Sequence, residues 1–251
     1  MGQSLMMRQD LADDPGTSVQ KLELLARDED DTVRHRVAEN PRTPRALQLI
    51  LSKDEHEYVR EGVAGNPTVS SALLRTLSKD KDAGVRSRVA KNPSAPADLL
   101  IELAGDKDSY VRWGVACNGR TPTRVLLGLV HDSDVVVVLA AEQNPALSAQ
   151  ALAELAEDED FVVRCQVASF DGTPSGVVGK LAEDPVSAVR ASAAANRRVP
   201  IKALSNLAGD LDPAVQRALA GNPRTPPEVL KELLRTAQGE AWQEASIRLR
   251  A

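Results

Sequence analysis

The phrase Val37-Ala38-Glu39-Asn40-Pro41 returns as Val63-Ala64-Gly65-Asn66-Pro67, twenty-six residues later. The spacing holds along almost the whole chain of 251 residues. Asn-Pro stands at Asn40, Asn66, Asn92, Asn144 and Asn222, with the variants Asp14-Pro15, Asn118-Gly119 and Asn196-Arg197 on the same count. Only Phe170-Asp171 loses the signal, and the count runs on through it. A chain repeating at this period without insertion cannot fold around one central core. It must stack small, nearly identical pieces.

Other phases show what each piece is. One position is always Leu (Leu25, Leu51, Leu77, Leu103, Leu129, Leu155, Leu181, Leu207, Leu233), and another is always Val, from Val33 to Val215. Four residues after each Val comes a second apolar residue: Val37, Val63, Val89, Val115, Ala141, Val167, Ala193 and Leu219. That i, i+4 spacing marks one face of a helix and not the alternation of a strand. Each repeat therefore reads as two short helical segments. The first opens at Thr-Pro, as in Thr43-Pro44 and Thr225-Pro226, with Thr as N-cap and Pro at the first helical position. The second stops at Asn-Pro, because a residue before proline avoids the α region. Segments this short could equally be turns of 3₁₀ character.

Composition agrees with stacked small helices. Aromatic residues make up only 2 % of the chain, so Leu, Val and Ala carry the apolar content. The net charge of −5 disfavours a general nucleic-acid binder. The N-terminal residues lack the apolar core of a signal peptide, and the longest apolar run, Val135 to Ala141, is too short to span a bilayer. Cytoplasmic location is the expectation. Residues 1–13 read as an N-terminal capping half-repeat, 14–235 as the tandem repeats and 236–251 as a C-terminal capping helix.

The consensus NPxTPxxLLxxLAxDxDxxVRxxVAx resembles the leucine-rich repeat variant family and is similar to HEAT-type repeats. The resemblance implies an all-α, right-handed α-solenoid superhelix in which each repeat pairs an α-helix with a short or 3₁₀ helix. The family's founding member carries an iron–sulfur centre on an N-terminal cysteine cluster. This chain has only Cys117 and Cys165, so no cofactor is expected.

Two charged columns recur. Asp28, Asp54, Asp80, Asp106, Asp132, Asp158, Asp184 and Asp210 each precede by six residues Arg34, Arg60, Arg86, Arg112, Val138, Arg164, Arg190 and Gln216. Repetition in nearly every repeat favours a structural ladder of Asp–Arg hydrogen bonds over an anion-binding track. The acidic clusters at 28–31 and 80–82 lack the glycine and distal glutamate of a calcium loop. His35, His56 and His131 have no metal-ligand spacing, and no nucleophile elbow or phosphate loop appears. The two cysteines lie two repeats apart, too far for a bridge, and read as structural thiols. No catalytic or metal-binding residue is expected.

The informative positions are those that stacking does not need. On the second segment, four slots point away from the core: one before Val, and two, three and six after it. In repeats one to three these are mostly polar, including His35, Glu39, Glu61, Arg88 and Lys91. In repeats four to six they turn apolar: Tyr110 and Trp113, then Val136 and Leu139, then Val162 with Cys165, and Phe161 stands one slot before that stripe. In repeats seven and eight they are small. A contiguous outward apolar patch with aromatic anchors marks an interaction site. The expected role is a non-catalytic scaffold binding a protein or peptide partner, or a second copy, through Tyr110, Trp113, Val136, Leu139, Phe161 and Val162. Burial of these side chains within the chain is the bland alternative. Nucleic-acid binding through Arg34, Arg36, Arg86, Arg88 and Lys91 is the second reading. A carrier or enzyme using the central groove is the third, with Cys165 its one weak candidate nucleophile.

Overall fold

The computed structural model of the chain describes residues 4–250, which are helical with no strand. The first residues of the expected N-terminal half-repeat, 1–3, and the last of the C-terminal helix, 251, lie outside the described residues. Contacts divide the chain between Ala146 and Leu147 into two compact units.

The first unit begins with α1 (Leu5–Asp13) and continues as helix pairs. These are α2 (Val19–Leu25) with α3 (Asp31–Glu39), α4 (Arg45–Leu51) with α5 (Glu57–Gly65), and α6 (Ser71–Leu77) with α7 (Ala83–Lys91). Then come α8 (Ala97–Leu103) with α9 (Ser109–Cys117), and α10 (Thr123–Leu129) with α11 (Val135–Glu142). The second unit pairs α12 (Ala149–Leu155) with α13 (Phe161–Ser169), α14 (Ser175–Leu181) with α15 (Ser187–Ala195), and α16 (Ile201–Asn206) with α17 (Pro213–Gly221). It closes with α18 (Pro227–Thr236) and α19 (Gly239–Arg248). The 3₁₀ option is taken among the described residues only at Leu207–Gly209.

Inside each unit, second helices stack on second helices. The Val column and the apolar column after it, from Val33 to Leu219, are sealed at 0–1 % exposure. The Leu column is buried too, except Leu155, which is half-buried. A helix of seven or nine residues is marginal alone in water, so these helices exist because their neighbours cover them.

Two hydrogen-bond ladders tie successive repeats. In the first, each arginine reaches forward to the aspartate of the next repeat. Arg34 Nε and Nη2 donate to the two carboxylate oxygens of Asp54 at 2.8 and 3.0 Å, while Nη1 donates to the Asp28 carbonyl at 2.9 Å. Arg60–Asp80, Arg86–Asp106 and Arg112–Asp132 repeat this in the first unit, and Arg164–Asp184 and Arg190–Asp210 in the second. Arg8, in phase with the column, pairs with Asp28. Each fork also joins its own turn to the neighbouring one, because its third nitrogen holds a backbone carbonyl. The carboxylates accept backbone N–H as well, as Asp80 Oδ1 does from Asp82 at 2.9 Å. The Arg112 hydrogen bond draws the Asp132 carboxyl below its ordinary value. At Asp80 and Asp106 burial is the largest single influence and pushes upward, but the hydrogen bonds from Arg60 and Arg86, those from the Asp82 and Asp108 amides and the nearby positive charges together outweigh it, and the net direction is down.

The second ladder belongs to the asparagines. Asn66 is fully buried, and its Nδ2 donates to the carbonyls of Ala38 at 2.7 Å and Asn40 at 2.9 Å in the repeat before. Its Oδ1 accepts the Thr68 amide. Asn40, Asn92, Asn118 and Asn144 do the same in the first unit, and Asn196 and Asn222 in the second. At the end of the second unit Arg248, in phase with this column, substitutes its guanidinium and donates to the Ala220 and Asn222 carbonyls at 2.6 and 2.7 Å. The proline after Asn is not what ends the helix. Asn118, Asn196 and Phe170 hold the same extended backbone without a following proline.

The Thr-Pro signal also works differently from the expected cap. Pro44 occupies the cap position, with no side-chain cap bond. Thr43 turns its hydroxyl back to the Val37 carbonyl, as Thr121 does to Val115 and Thr225 to Leu219. The last carbonyls of a helix lack partners, and a buried hydroxyl six residues on satisfies one. Serine at the next position is the true cap in α6 and α12, where Ser70 and Ser148 accept from Leu73 and Ala151.

Candidate functional site

With Val85, Val111 and Val137 locked inward, helical geometry turns the residues around them to the opposite face. In α9 that face carries Tyr110 and Trp113, three residues apart and stacked with ring centroids 5.3 Å apart. The backbone beneath is held closely. Ser87, fully buried on α7, donates its hydroxyl to the Tyr110 carbonyl at 3.0 Å. A side chain at Gly114 would stand only 2.9 Å from the Ser87 carbonyl, so glycine there lets α9 lie directly against α7.

Lys91, the last residue of α7, lays its ammonium 3.6 Å from the centroid of the Trp113 ring and 4.6 Å from that of Tyr110. Its Nζ also lies 3.5 Å from the Tyr110 hydroxyl. The charge sits over two ring faces, the favoured place for a cation. A hollow of about 370 Å³ opens beside Trp113, walled by Cys117, Val136, Leu139, Ala140 and Gln143. Another of about 310 Å³ lies between Tyr110, Trp113, Asp134 and Val136. Tyr110, Val136 and Leu139 are 47, 55 and 49 % exposed, and Trp113 is half-buried. The chain itself does not bury this face.

In the second unit Phe161 and Val162 open α13 and are also exposed, at 46 and 48 %. Asp160 caps that helix by accepting the Val162 amide. The six residues of the expected stripe are thus all at least partly accessible, four in the first unit and two in the second. Both thiols are free, Cys117 exposed and Cys165 half-buried. Burial pushes both upward from the ordinary thiol range, the direction opposite to that of an activated nucleophile.

The basic residues named for nucleic acid are mostly engaged. Arg34 and Arg86 belong to the ladder. Arg36 pairs with Asp13, and Arg88 with Glu39. The Arg88–Glu39 pair spans two repeats and passes over Gly65, where an added side chain would meet the guanidinium. Glu39 also receives His35, whose ring stacks on Tyr58 at 3.7 Å and meets the Tyr58 carbonyl through Nδ1 at 2.6 Å. The His35 contact, before that of Arg88, draws the Glu39 carboxyl down. Among the described residues no group of three or more His, Cys, Asp or Glu side chains could hold a metal ion, and no helix is long and apolar enough to cross a membrane.

One surface escapes a reading restricted to second helices. Leu24 and Ile50 stand exposed one repeat apart on α2 and α4. They border a hollow of about 540 Å³ with Ala46 and Leu47. The consecutive Leu49-Ile50, more apolar than a helix with one buried stripe requires, is the signal in the sequence.

No family model and no curated protein matches the chain. Among solved structures, it is similar to a leucine-rich repeat variant with a novel repetitive structural motif, the class its consensus resembles. The two share 28 % identity, the match covers 85 % of this chain and 81 % of the other, and the TM-score is 0.43. It is also similar to YibA of Escherichia coli, at 18 % identity, 100 % and 98 % coverage and a TM-score of 0.42. An engineered protein is similar at 16 % identity, 98 % and 94 % coverage and a TM-score of 0.31.

Proposed function

We propose that the chain is a non-catalytic interaction scaffold, holding a protein partner or a second copy of itself against the apolar face of its second helices. In the first unit Tyr110, Trp113, Val136 and Leu139 would carry the contact, and in the second Phe161 and Val162 would offer a separate one. The observation that supports this is the exposure of these side chains above a Val column at 0–1 % exposure. Stacking has no use for them, and exposed aromatic and aliphatic groups next to hollows are what partners bury. The engagement of Arg34, Arg36, Arg86 and Arg88 with carboxylates favours this reading over nucleic acid, which needs cations free for phosphate.

The test is the double change Trp113→Ala with Leu139→Asp. Proteins retained by the immobilised wild-type chain, and its self-association in sedimentation, should be lost together with the patch. Retention of the same proteins, or of the same oligomer, by the double variant would rule this surface out.

A further inference from the structure

On the second-helix face of the first unit the cations differ in one respect. Arg36 meets Asp13 and Arg88 meets Glu39. Lys91 meets no carboxylate among the described residues; its contacts are the two rings and, at the edge of range, the Tyr110 hydroxyl. An ammonium has three donors, and those directed away from the rings are unused. The ammonium sits on the border between α7 and α9, over the Trp113 ring, which lines the hollow with Cys117, Val136 and Leu139.

We infer that this surface takes an acidic–apolar peptide segment of a protein partner, an internal Asp or Glu pairing with Lys91 while a neighbouring bulky side chain fills the hollow beside Trp113. The inference rests on the scaffold reading and adds the chemistry of the partner. Charge complementarity selects the acid. The aromatic faces that would hold a partner's cation are already covered by Lys91, so an incoming Lys or Arg meets like charge. A carboxylate instead finds an ammonium already seated over two ring faces at the edge of the patch. The hollow adjoins the ring that carries the ammonium. At about 3.3 Å per extended residue, acid and apolar side chain are one to three residues apart in the segment. Nucleic acid fits less well, because it would find a single unpaired lysine on walls that are mostly apolar and include the Asp134 carboxylate.

The experiment is selection of end-blocked peptides from a random library of short sequences on the full chain, followed by titration of the enriched peptides. Enriched sequences are expected to carry Asp or Glu within three residues of Leu, Ile, Phe or Trp. Lys91→Gln should weaken them about threefold to tenfold, remove the acidic preference and leave the apolar one. Lys91→Arg should keep both, and salt should weaken wild-type binding more than that of Lys91→Gln. Peptides without acidic enrichment, or bound equally by Lys91→Gln, overturn this inference and leave the docking surface standing. Failure to select any peptide, or equal binding by Leu139→Asp, overturns the surface as well. A labelled single-stranded oligonucleotide whose binding requires Lys91 would overturn the peptide assignment in favour of phosphate.

Discussion

The second helices of repeats one to three and those of repeats four and five share one foundation and present opposite surfaces. Beneath both, the Val column is sealed, the Arg–Asp forks run from Arg34 to Asp132 and the asparagines from Asn40 to Asn144. Above, the early repeats close their face on themselves: His35 stacks on Tyr58 and bonds Glu39, and Arg88 reaches across a repeat to the same carboxylate. The later repeats leave Tyr110, Val136 and Leu139 open, and over the Trp113 ring sits Lys91, from the end of the repeat-three helix, with no acid paired to it among the described residues. The foundation decides that the chain folds, and the face is free to differ.

That separation can be broken from below or from above. The largest effect should come from the foundation. Arg86→Ala leaves Asp106 and two turn carbonyls without their donor in a largely buried setting, and should cost about 3–5 kcal/mol in urea unfolding. Asn92→Ala removes the donor to the Ala64 and Asn66 carbonyls and should cost about 2–3 kcal/mol. Acid should act on the same foundation gradually. Asp80, Asp106 and Asp132 titrate below the ordinary carboxylate value when folded, so between the two values the unfolded chain binds more protons. Their contribution is therefore full above the ordinary value and is lost as pH falls through the folded ones. Glu61, pushed up by burial and then by Asp82, works the other way at milder pH. Near the ordinary carboxylate value the loss has only begun, so unfolding midpoints there should move less than a deleted rung moves them. The smallest effect should come from the polar face. Glu39→Gln loosens Arg88 at a half-exposed site and should change stability by about 0.5 kcal/mol. A cost as large as that of Arg86→Ala would mean the early face is part of the foundation.

The sequence showed the foundation more clearly than the face. The Leu and Val columns gave two helices per repeat because a period of 26 leaves no other way to bury them. The Asp and Arg columns were visible, but their sequence spacing of six residues hides that each fork takes the aspartate twenty residues ahead and only the carbonyl six behind. Thr43 looked like a cap because caps and back-bonding hydroxyls use the same residue types before a proline. The asparagine looked like a helix stop, whereas Asn118 keeps its backbone without proline and earns its place through its side-chain amide. On the face, the sequence distinguishes Lys91 in no way from the other polar residues of repeats one to three. Its seat over Trp113 depends on two helices meeting, which no single segment reveals. Leu24 and Ile50 lie on first helices, whereas the apolar stripe read from the sequence is confined to second helices.

The face of repeats four and five is proposed to serve a partner and not the fold. Urea unfolding of the Trp113→Ala, Leu139→Asp double variant beside wild type tests it most directly. The expected free energy of unfolding lies within about 1 kcal/mol of wild type, with an unchanged slope. A loss of several kcal/mol, comparable with Arg86→Ala, would show that these side chains hold the repeats together and would contradict it.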